Sequence, residues 1–313
     1  MAGFPTSIIE FQRQFPDDSA CATHLFKVRW PDGFICPACG HRKAWALSCK
    51  ADTFECAHCH KQTSVRAGTV MHGSKLSLTV WFWAAYLIAT HSNGMSARQL
   101  KHQLGIGSYK SAWLLCAKLR RAMVDPDRSP LNGLVEVDET SIPFRRKDDP
   151  PAGGQGRSAV GKMAVIGAVE ILKNNQGHEV PGRLRLTPIP DFSAITLESF
   201  VTGMIETKST VRTDGWSGYT GLKEHAHEPH VVGVIAAHIV LPWIHRVFAN
   251  LKRWGLGVYH GLRDKHLQSY LDEFTFRFNR RRTPKAAFNS ILSIGTRIKP
   301  ATYNMLISPE AKG

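Results

Sequence analysis

The stretch that decides the fold of the central part of the chain is Leu134-Val-Glu-Val-Asp-Glu-Thr-Ser-Ile142. Apolar and polar residues alternate along it, and several are β-branched, a pattern typical of a half-buried β-strand. This pattern places Asp138 within the strand or at its end. Because an acid on a strand is more often a surface or turn residue than a ligand, Asp138 alone does not indicate catalysis.

The segments that follow predict a sheet flanked by helices. Two further strands are expected, a buried one from Lys162 to Ile171 and an alternating one over 182–189. An amphipathic helix over 194–206 precedes a strand that begins at Ser209 and ends in a turn at Asp214-Gly215. The rest of the pattern predicts an exposed loop over 145–161, a short strand from Val231 to Ile235 and a basic helix from about Pro242 to Trp254.

Three strands, a helix, another strand and a later helix follow the order of the ribonuclease H-like fold, in which acids from separate elements converge. Two carboxylates brought together can hold two divalent ions about 3.5–4 Å apart, which activate a water or 3′-hydroxyl at a phosphodiester. Asp138 and Asp214 are the candidates for this role. Taken singly, each is more often a turn or surface acid than a metal ligand.

Seven cysteines occur upstream of the central part, and four of them form two C-x-x-C pairs. Cys36 and Cys39 are separated by 16 residues from Cys56 and Cys59, a spacing typical of a structural zinc site with four thiolate ligands. Buried or redox-active thiols are the alternative, and Cys49, His41, His58 or His60 could compete as ligands. Since the two pairs already fill four positions, the sequence predicts a zinc ribbon over 15–75 whose ion is structural.

A helical segment is predicted over 76–128. Ser96 can cap a short helix that ends at Gly105, and Ser108 can cap a second helix. Two short helices joined by a glycine-containing turn are similar to a helix-turn-helix. The second helix has four basic residues that could contact DNA, namely Lys110, Lys118, Arg120 and Arg121. An ordinary helical hairpin with a solvated basic face is the alternative.

Charge is unevenly distributed along the 313 residues, whose formal net charge is +15. Residues 1–130 carry +8 and residues 245–299 carry +9, whereas residues 131–244 carry −2. A near-neutral middle flanked by basic segments favours a nucleic-acid partner over a membrane. The longest apolar run, Leu78–Thr90, is too short to span a bilayer, and the first residues do not resemble a secretion signal, so a soluble intracellular protein is expected.

Several motifs together resemble one family, the bacterial insertion-sequence transposases of the zinc-ribbon, DDE type, which are related to Merlin-type elements. The matching text comprises VDET at 137–140, TDGWSGY at 213–219, IHRVFANLKRWGLGVYH at 244–260 and KHLQSYLDEFTFRFNRR at 265–281. The resemblance implies a metal-dependent DNA transposase that binds the terminal inverted repeats of its element, uses Mg²⁺ or Mn²⁺, and acts on double-stranded DNA as a homodimer or larger oligomer. It also implies a cytoplasmic, nucleoid-associated bacterial protein with no membrane partner.

The resemblance assigns roles to residues at matching positions. Asp138 and Asp214 match the first two metal-binding carboxylates, and Lys252 matches a lysine seven residues after the third. The third position, usually Glu and sometimes Asn, is His245 here. An imidazole can ligate Mn²⁺ but is a poor Mg²⁺ ligand, so His245 indicates either an active Asp-Asp-His site with a changed metal preference or a decayed one.

Further basic residues are expected to contact DNA phosphates near the site and after it, namely Lys252, Arg253, Arg280 and Arg281. The predicted division places the catalytic domain at 131–290 and a tail at 291–313. Two other functions stay open at this point. One is a non-catalytic, sequence-specific DNA-binding regulator, and the other is a different nuclease on the same fold.

Overall fold

The computed structural model describes residues 5, 7–50, 52–91, 93–143, 161–230, 240–259 and 262–307. The chain divides into two units, of which the second is Asp127–Asn279. The first is formed by both ends of the chain, Met1–Pro126 together with Arg280–Gly313. Among the described residues, no helix is long and apolar enough to cross a membrane.

The first unit combines a small antiparallel sheet with helices. Its sheet has the order β1-β2-β3 (Ala44–Ala46, Thr53–Cys56, Gln62–Ser64). Its helices before the second unit are α1 (Ile8–Gln14), α2 (Asp18–Arg29), α3 (Leu78–Thr90), α4 (Ala97–Gln103) and α5 (Tyr109–Arg121). Side chains of Ser96 and Ser108 accept N–H groups at the starts of α4 and α5, and Gly105 between them has φ +61°, as the capping pattern predicts.

An aromatic core joins the two ends of the first unit. Phe11 and Phe15 contact Phe82 of α3 or Phe288 of helix α9 (Pro284–Arg297) at ring-centroid distances of 5.0–5.9 Å. Helix α9 is followed by α10 (Tyr303–Ile307). The sequence-based division splits α9 between a catalytic domain and a tail, whereas the buried apolar face of this helix belongs to the first unit.

The second unit is built on a five-stranded sheet with the order β6-β5-β4-β7-β8. The strands are β4 (Leu134–Pro143), β5 (Lys162–Lys173), β6 (Glu179–Ile189), β7 (Thr210–Thr213) and β8 (Ala226–Pro229). Strands β4, β5 and β6 are antiparallel neighbours, whereas β7 runs parallel to both β4 and β8. This mixed sheet confirms the predicted fold class, an α/β domain of ribonuclease H-like type after a zinc ribbon and helices.

Helices cover the two faces of the sheet because alternate strand residues are apolar on each side. Helix α6 (Ala194–Met204) packs on one face with Val135 and Val137. Helices α7 (Pro242–Tyr259) and α8 (Leu267–Asn279) pack on the other, with Val165 and Val169. Short 3₁₀ turns lie at Ser217–Tyr219 and Asp264–His266.

Some elements differ from those expected. Strand β8 is not predicted, because a short edge strand of sequence Ala-His-Glu-Pro lacks an apolar run. Helix α7 continues to Tyr259 through Gly255 and Gly257, which cost stability in a helix but do not end it here. The strand expected over 231–235 and all but Gly161 of the loop expected over 145–161 lie outside the described residues.

Candidate active site

Strand β4 lies at the centre of the sheet and directs two acids toward helix α7. Because side chains alternate along a strand, Val135 and Val137 face helix α6 while Glu136 and Asp138 share the opposite face. Asp138 is 6 % exposed, and its Oδ1 accepts the backbone N–H of Glu139 at 2.8 Å. The strand thus holds a nearly buried carboxylate in a fixed orientation.

The parallel pairing of β4 with β7 brings Asp214 level with Asp138. Glu136 pairs with Arg212, and continuing this register by two residues aligns Asp138 with Asp214, one residue beyond the end of β7. The backbone N–H of Trp216 donates to Asp214 Oδ1 at 2.9 Å, and Gly215 takes φ +80° in the turn. The turn therefore orients the second acid at the end of the neighbouring strand.

Helix α7 supplies the third group. His245 lies in its first turn, and the Nε2 atom is 3.3 Å from Asp138 Oδ2. Lys252, two turns further on, is half-buried. Burial lowers the pKa of its ammonium group, whereas the negative charge of Asp138 acts in the opposite direction. Asp138, His245 and Lys252 therefore lie on the same side of the sheet.

Electrostatics at Asp138 are unusual for a carboxylate. The pKa of Asp138 is raised to about 8, first by burial, then by the negative charge of Glu139, and more weakly by the charges of Asp214 and Glu136. The hydrogen bond from the Glu139 N–H lowers the pKa but does not outweigh these effects. Crowded acids that repel one another are stabilised by a bound cation, and such perturbed groups cluster at functional sites. Two carboxylates and an imidazole are a donor set that fits a divalent metal ion.

Three features around the acids were not identified from the sequence. The buried Tyr219 hydroxyl donates to Glu139 Oε1, which ties the segment after Asp214 to β4. The Oγ1 atom of Thr213 lies 2.9 Å from His227 Nε2. The third feature is Glu136, whose Oε2 accepts the backbone N–H groups at the start of α7. The two-residue spacing from Asp138 in an alternating strand was the available signal for Glu136.

The four predicted zinc ligands come together in the first unit. Their sulfur atoms lie within 4.8 Å of one another, and the distances Cys36–Cys59 and Cys39–Cys56 are each 3.6 Å. Four thiolates about 2.3 Å from a zinc ion would be about 3.8 Å apart in a tetrahedron. Despite some burial, backbone N–H groups of Ala38 and Cys39 lower the pKa of Cys36 to about 6. This cluster fits a structural zinc ion with no open position.

The basic residues predicted to contact DNA fall into two groups. Lys118 and Arg120 are 5 % and 4 % exposed, and Lys118 Nζ donates to the carbonyl of His72 at 2.9 Å, so their burial does not fit a DNA-contacting role. Lys110, Arg253 and Arg281 are exposed. Arg121 and Arg280 are partly buried, and Arg280 Nε donates to Ser290 Oγ at 3.2 Å.

Comparison with known protein families gives two matches that follow the two parts of the chain. Residues 130–279 match the model of the ISXO2-like transposase domain. Residues 16–62 match the transposase zinc-ribbon domain. A comparison with curated proteins found no match. The two family matches together span well over half of the chain.

Proposed function

The chain belongs to the insertion-sequence transposases of the zinc-ribbon, DDE type, and we propose that it binds the terminal inverted repeats of its element and catalyses strand cleavage and transfer there. The observation that carries this proposal is the contact between His245 and Asp138, whose Nε2 and Oδ2 atoms lie 3.3 Å apart, with Asp214 just after the strand that pairs with β4. A protein that only binds DNA has no need of such a cluster.

Asp138, Asp214 and His245 would hold the divalent cation, which supplies Lewis-acid activation and charge neutralisation at the phosphodiester. In cleavage, a water oxygen bonds to phosphorus as the P–O3′ bond breaks. In transfer, the freed 3′-hydroxyl attacks a target phosphodiester, whose own P–O3′ bond breaks. Lys252 is positioned to hold a phosphate oxygen near Asp138, and Arg253 offers a second, exposed cation on the same helix.

The imidazole at the third position has consequences for metal preference. Mg²⁺ prefers oxygen ligands, whereas Mn²⁺ accepts imidazole nitrogen readily. His245 also contributes no negative charge to the ion. We therefore propose that the enzyme is more active with Mn²⁺ than with Mg²⁺ and that replacing His245 by Glu reverses the preference.

The finer assignments are part of the same proposal. The four cysteines hold a structural zinc ion, and the exposed basic residues Lys110, Arg253 and Arg281 contact double-stranded DNA, together with the partly buried Arg121 and Arg280. The protein assembles as a homodimer or larger oligomer on the two element ends, in the bacterial cytoplasm and associated with the nucleoid. The proposed catalytic domain covers 131–290, of which residues 131–279 lie in the second unit and residues 280–290 in the first.

A strand-transfer assay on labelled DNA carrying the inverted repeats tests the proposal, in Mg²⁺ and separately in Mn²⁺. Wild-type protein, Asp214→Ala and His245→Glu are compared, with Glu224→Ala as a control for loss of an exposed acid in the same unit. We expect activity in the wild type and in Glu224→Ala, and none in Asp214→Ala. Strand-transfer activity in His245→Glu but not in the wild type would indicate a decayed site. Cleavage without joining would favour another nuclease, and silence with DNA binding retained would favour a regulator.

A further inference from the structure

The described residues at the start of helix α7 provide no side-chain cap from the helix's own segment. Pro242 opens the helix and has no N–H group, and the residue before it is the apolar Leu241. The N–H of His245 makes the first bond within this turn, to the carbonyl of Leu241 at 3.3 Å. The two N–H groups between them, those of Trp243 and Ile244, need an acceptor from elsewhere.

That acceptor is a single oxygen of Glu136. Its Oε2 atom accepts the N–H of Trp243 at 3.0 Å and that of Ile244 at 2.9 Å. Glu136 is fully buried, and a carboxylate at a helix N-terminus is favoured by the helix dipole. One side chain from β4 therefore satisfies both unpaired donors at the start of α7.

The placement of Glu136 connects the helix to the proposed metal ligands. Glu136 stands two residues before Asp138 on the same face of β4, and its helix partners directly precede His245. The same short piece of strand thus carries one ligand and fixes the start of the helix that carries the other.

We propose that Glu136 is a positioning residue that holds His245 against Asp138. This inference rests on the proposed function, in which both residues are ligands of the divalent ion. Glu136 acts through two backbone hydrogen bonds and touches neither DNA nor metal. Loss of its carboxylate releases the first turn of α7, and the distance from His245 Nε2 to Asp138 Oδ2 is no longer fixed near 3.3 Å.

The first test uses the metal-free full-length protein and is independent of catalysis. The imidazole resonance of His245 is identified by NMR as the one missing in His245→Ala. We expect it to shift when Asp138 is replaced by Ala in the wild-type background, and not to shift in a Glu136→Ala background. An equal shift in both backgrounds overturns the proposal, whatever the protein does to DNA.

The second test measures Mn²⁺ binding by electron paramagnetic resonance. In the wild type, electron spin-echo modulation from a nitrogen reports an imidazole on the ion, and its loss in His245→Ala assigns the nitrogen. We expect Glu136→Ala to remove the modulation and weaken binding about 10- to 100-fold. In a His245→Ala background, Glu136→Ala should cause no further loss of Mn²⁺ affinity. Additive effects in the double variant overturn the proposal, whereas absence of nitrogen modulation in the wild type contradicts the proposed ligand set and leaves the first test to decide on Glu136.

Conservative variants separate positioning from other roles. Glu136→Gln keeps an oxygen that can accept both N–H groups and should stay within about threefold of the wild type in Mn²⁺ affinity. If Glu136 were itself a ligand, the glutamine variant would lose metal as the alanine variant does, and that result overturns the proposal. Glu136→Asp withdraws the carboxylate by one methylene and gives the same comparison should the alanine variant not fold.

Glu170 provides a matched control. It is also a buried glutamate in the same unit, and it accepts the backbone N–H groups of Asn132 at 2.9 Å and Arg183 at 3.1 Å. It caps no part of α7. Glu170→Ala should lower thermal stability while Mn²⁺ affinity and the His245 resonance stay unchanged. Loss of metal binding in this control as well would show a general effect of unfolding and would overturn the specific role of Glu136.

Discussion

Gly167 determines how closely helix α7 approaches the sheet. It lies on β5 directly opposite Asp138 of β4, beneath the helix that carries His245. A Cβ atom at this position would lie 2.8 Å from Phe248 Cε1, 2.9 Å from Leu186 Cδ2 and 3.0 Å from Ile244 Cδ1. Ordinary carbon contacts are about 3.5–4.0 Å, so Gly167→Ala requires displacements of about 0.5–1.2 Å. Two of the three crowded side chains belong to α7.

The expected result of Gly167→Ala is a loss of both stability and activity. Overpacking of this kind costs about 1–3 kcal/mol, and each kcal/mol lowers the Tm of a unit of this size by about 2–4 °C. Since His245 moves with the helix, a shift of about 1 Å should reduce strand cleavage by up to about 100-fold. Calorimetry at neutral pH and a single-turnover cleavage assay measure the two effects.

Gly203→Ala is the matched control for this prediction. Gly203 lies within helix α6 of the same unit, and a Cβ atom there would meet nothing within 4 Å. Its replacement should raise stability by about 0.5–1 kcal/mol through helix propensity and leave cleavage unchanged. An unchanged Tm and full activity in Gly167→Ala would refute the reasoning that the glycine sets the height of α7.

Three further perturbations give distinct expected outcomes. Cys56→Ser should leave the purified protein without stoichiometric zinc, because four ligands are needed to close the site. Mass spectrometry under native conditions measures the zinc content. Retained zinc would indicate a ligand outside the four-cysteine cluster. Lys118→Met should lower the free energy of unfolding by about 1–3 kcal/mol, because it leaves the His72 carbonyl without the lysine donor. The salt dependence of DNA binding should stay the same. A shallower salt dependence in this variant would show that Lys118 contacts a DNA phosphate. In the folded, metal-free protein Asp138 keeps its proton up to about pH 8, whereas in the unfolded chain Asp138 loses the proton near its ordinary pKa of 3.8. The free energy of unfolding therefore falls as the pH rises between these two values. Asp138→Asn should abolish this decline and, in thermal unfolding at pH 8, should be more stable than the wild type by at least about 1.4 kcal/mol. If the variant and the wild type show the same dependence of stability on pH, Asp138 does not cause the decline.

Local patterns in the sequence predict much of the site. The two C-x-x-C pairs, the alternation around Asp138 and the turn at Asp214-Gly215 each involve short-range rules, and the structure has the cluster, the strand and the turn in those places. The family matches confirm the resemblance on which His245 was singled out. The roles of Asp138, Asp214, His245 and Lys252 in catalysis stay predictions.

Long-range packing explains what the sequence did not predict. Lys118 and Arg120 look like surface cations in a helical pattern, but their long aliphatic stems allow them to lie within the core. Gly167 and Glu136 both contact α7, which begins 75 or more residues after them in the chain. Their roles can be recognised only once α7 is packed against the sheet. No local periodicity carries that information.

The discontinuous first unit has a consequence for protein synthesis. Phe288 lies in the same aromatic core as Phe11, Phe15 and Phe82, so the ribosome must release nearly the whole chain before this core can be completed. The intervening unit, Asp127–Asn279, is by then fully synthesised. A message that terminates before α9 is therefore expected to yield a product whose N-terminal aromatic core lacks Phe288 and is open to solvent and to proteases.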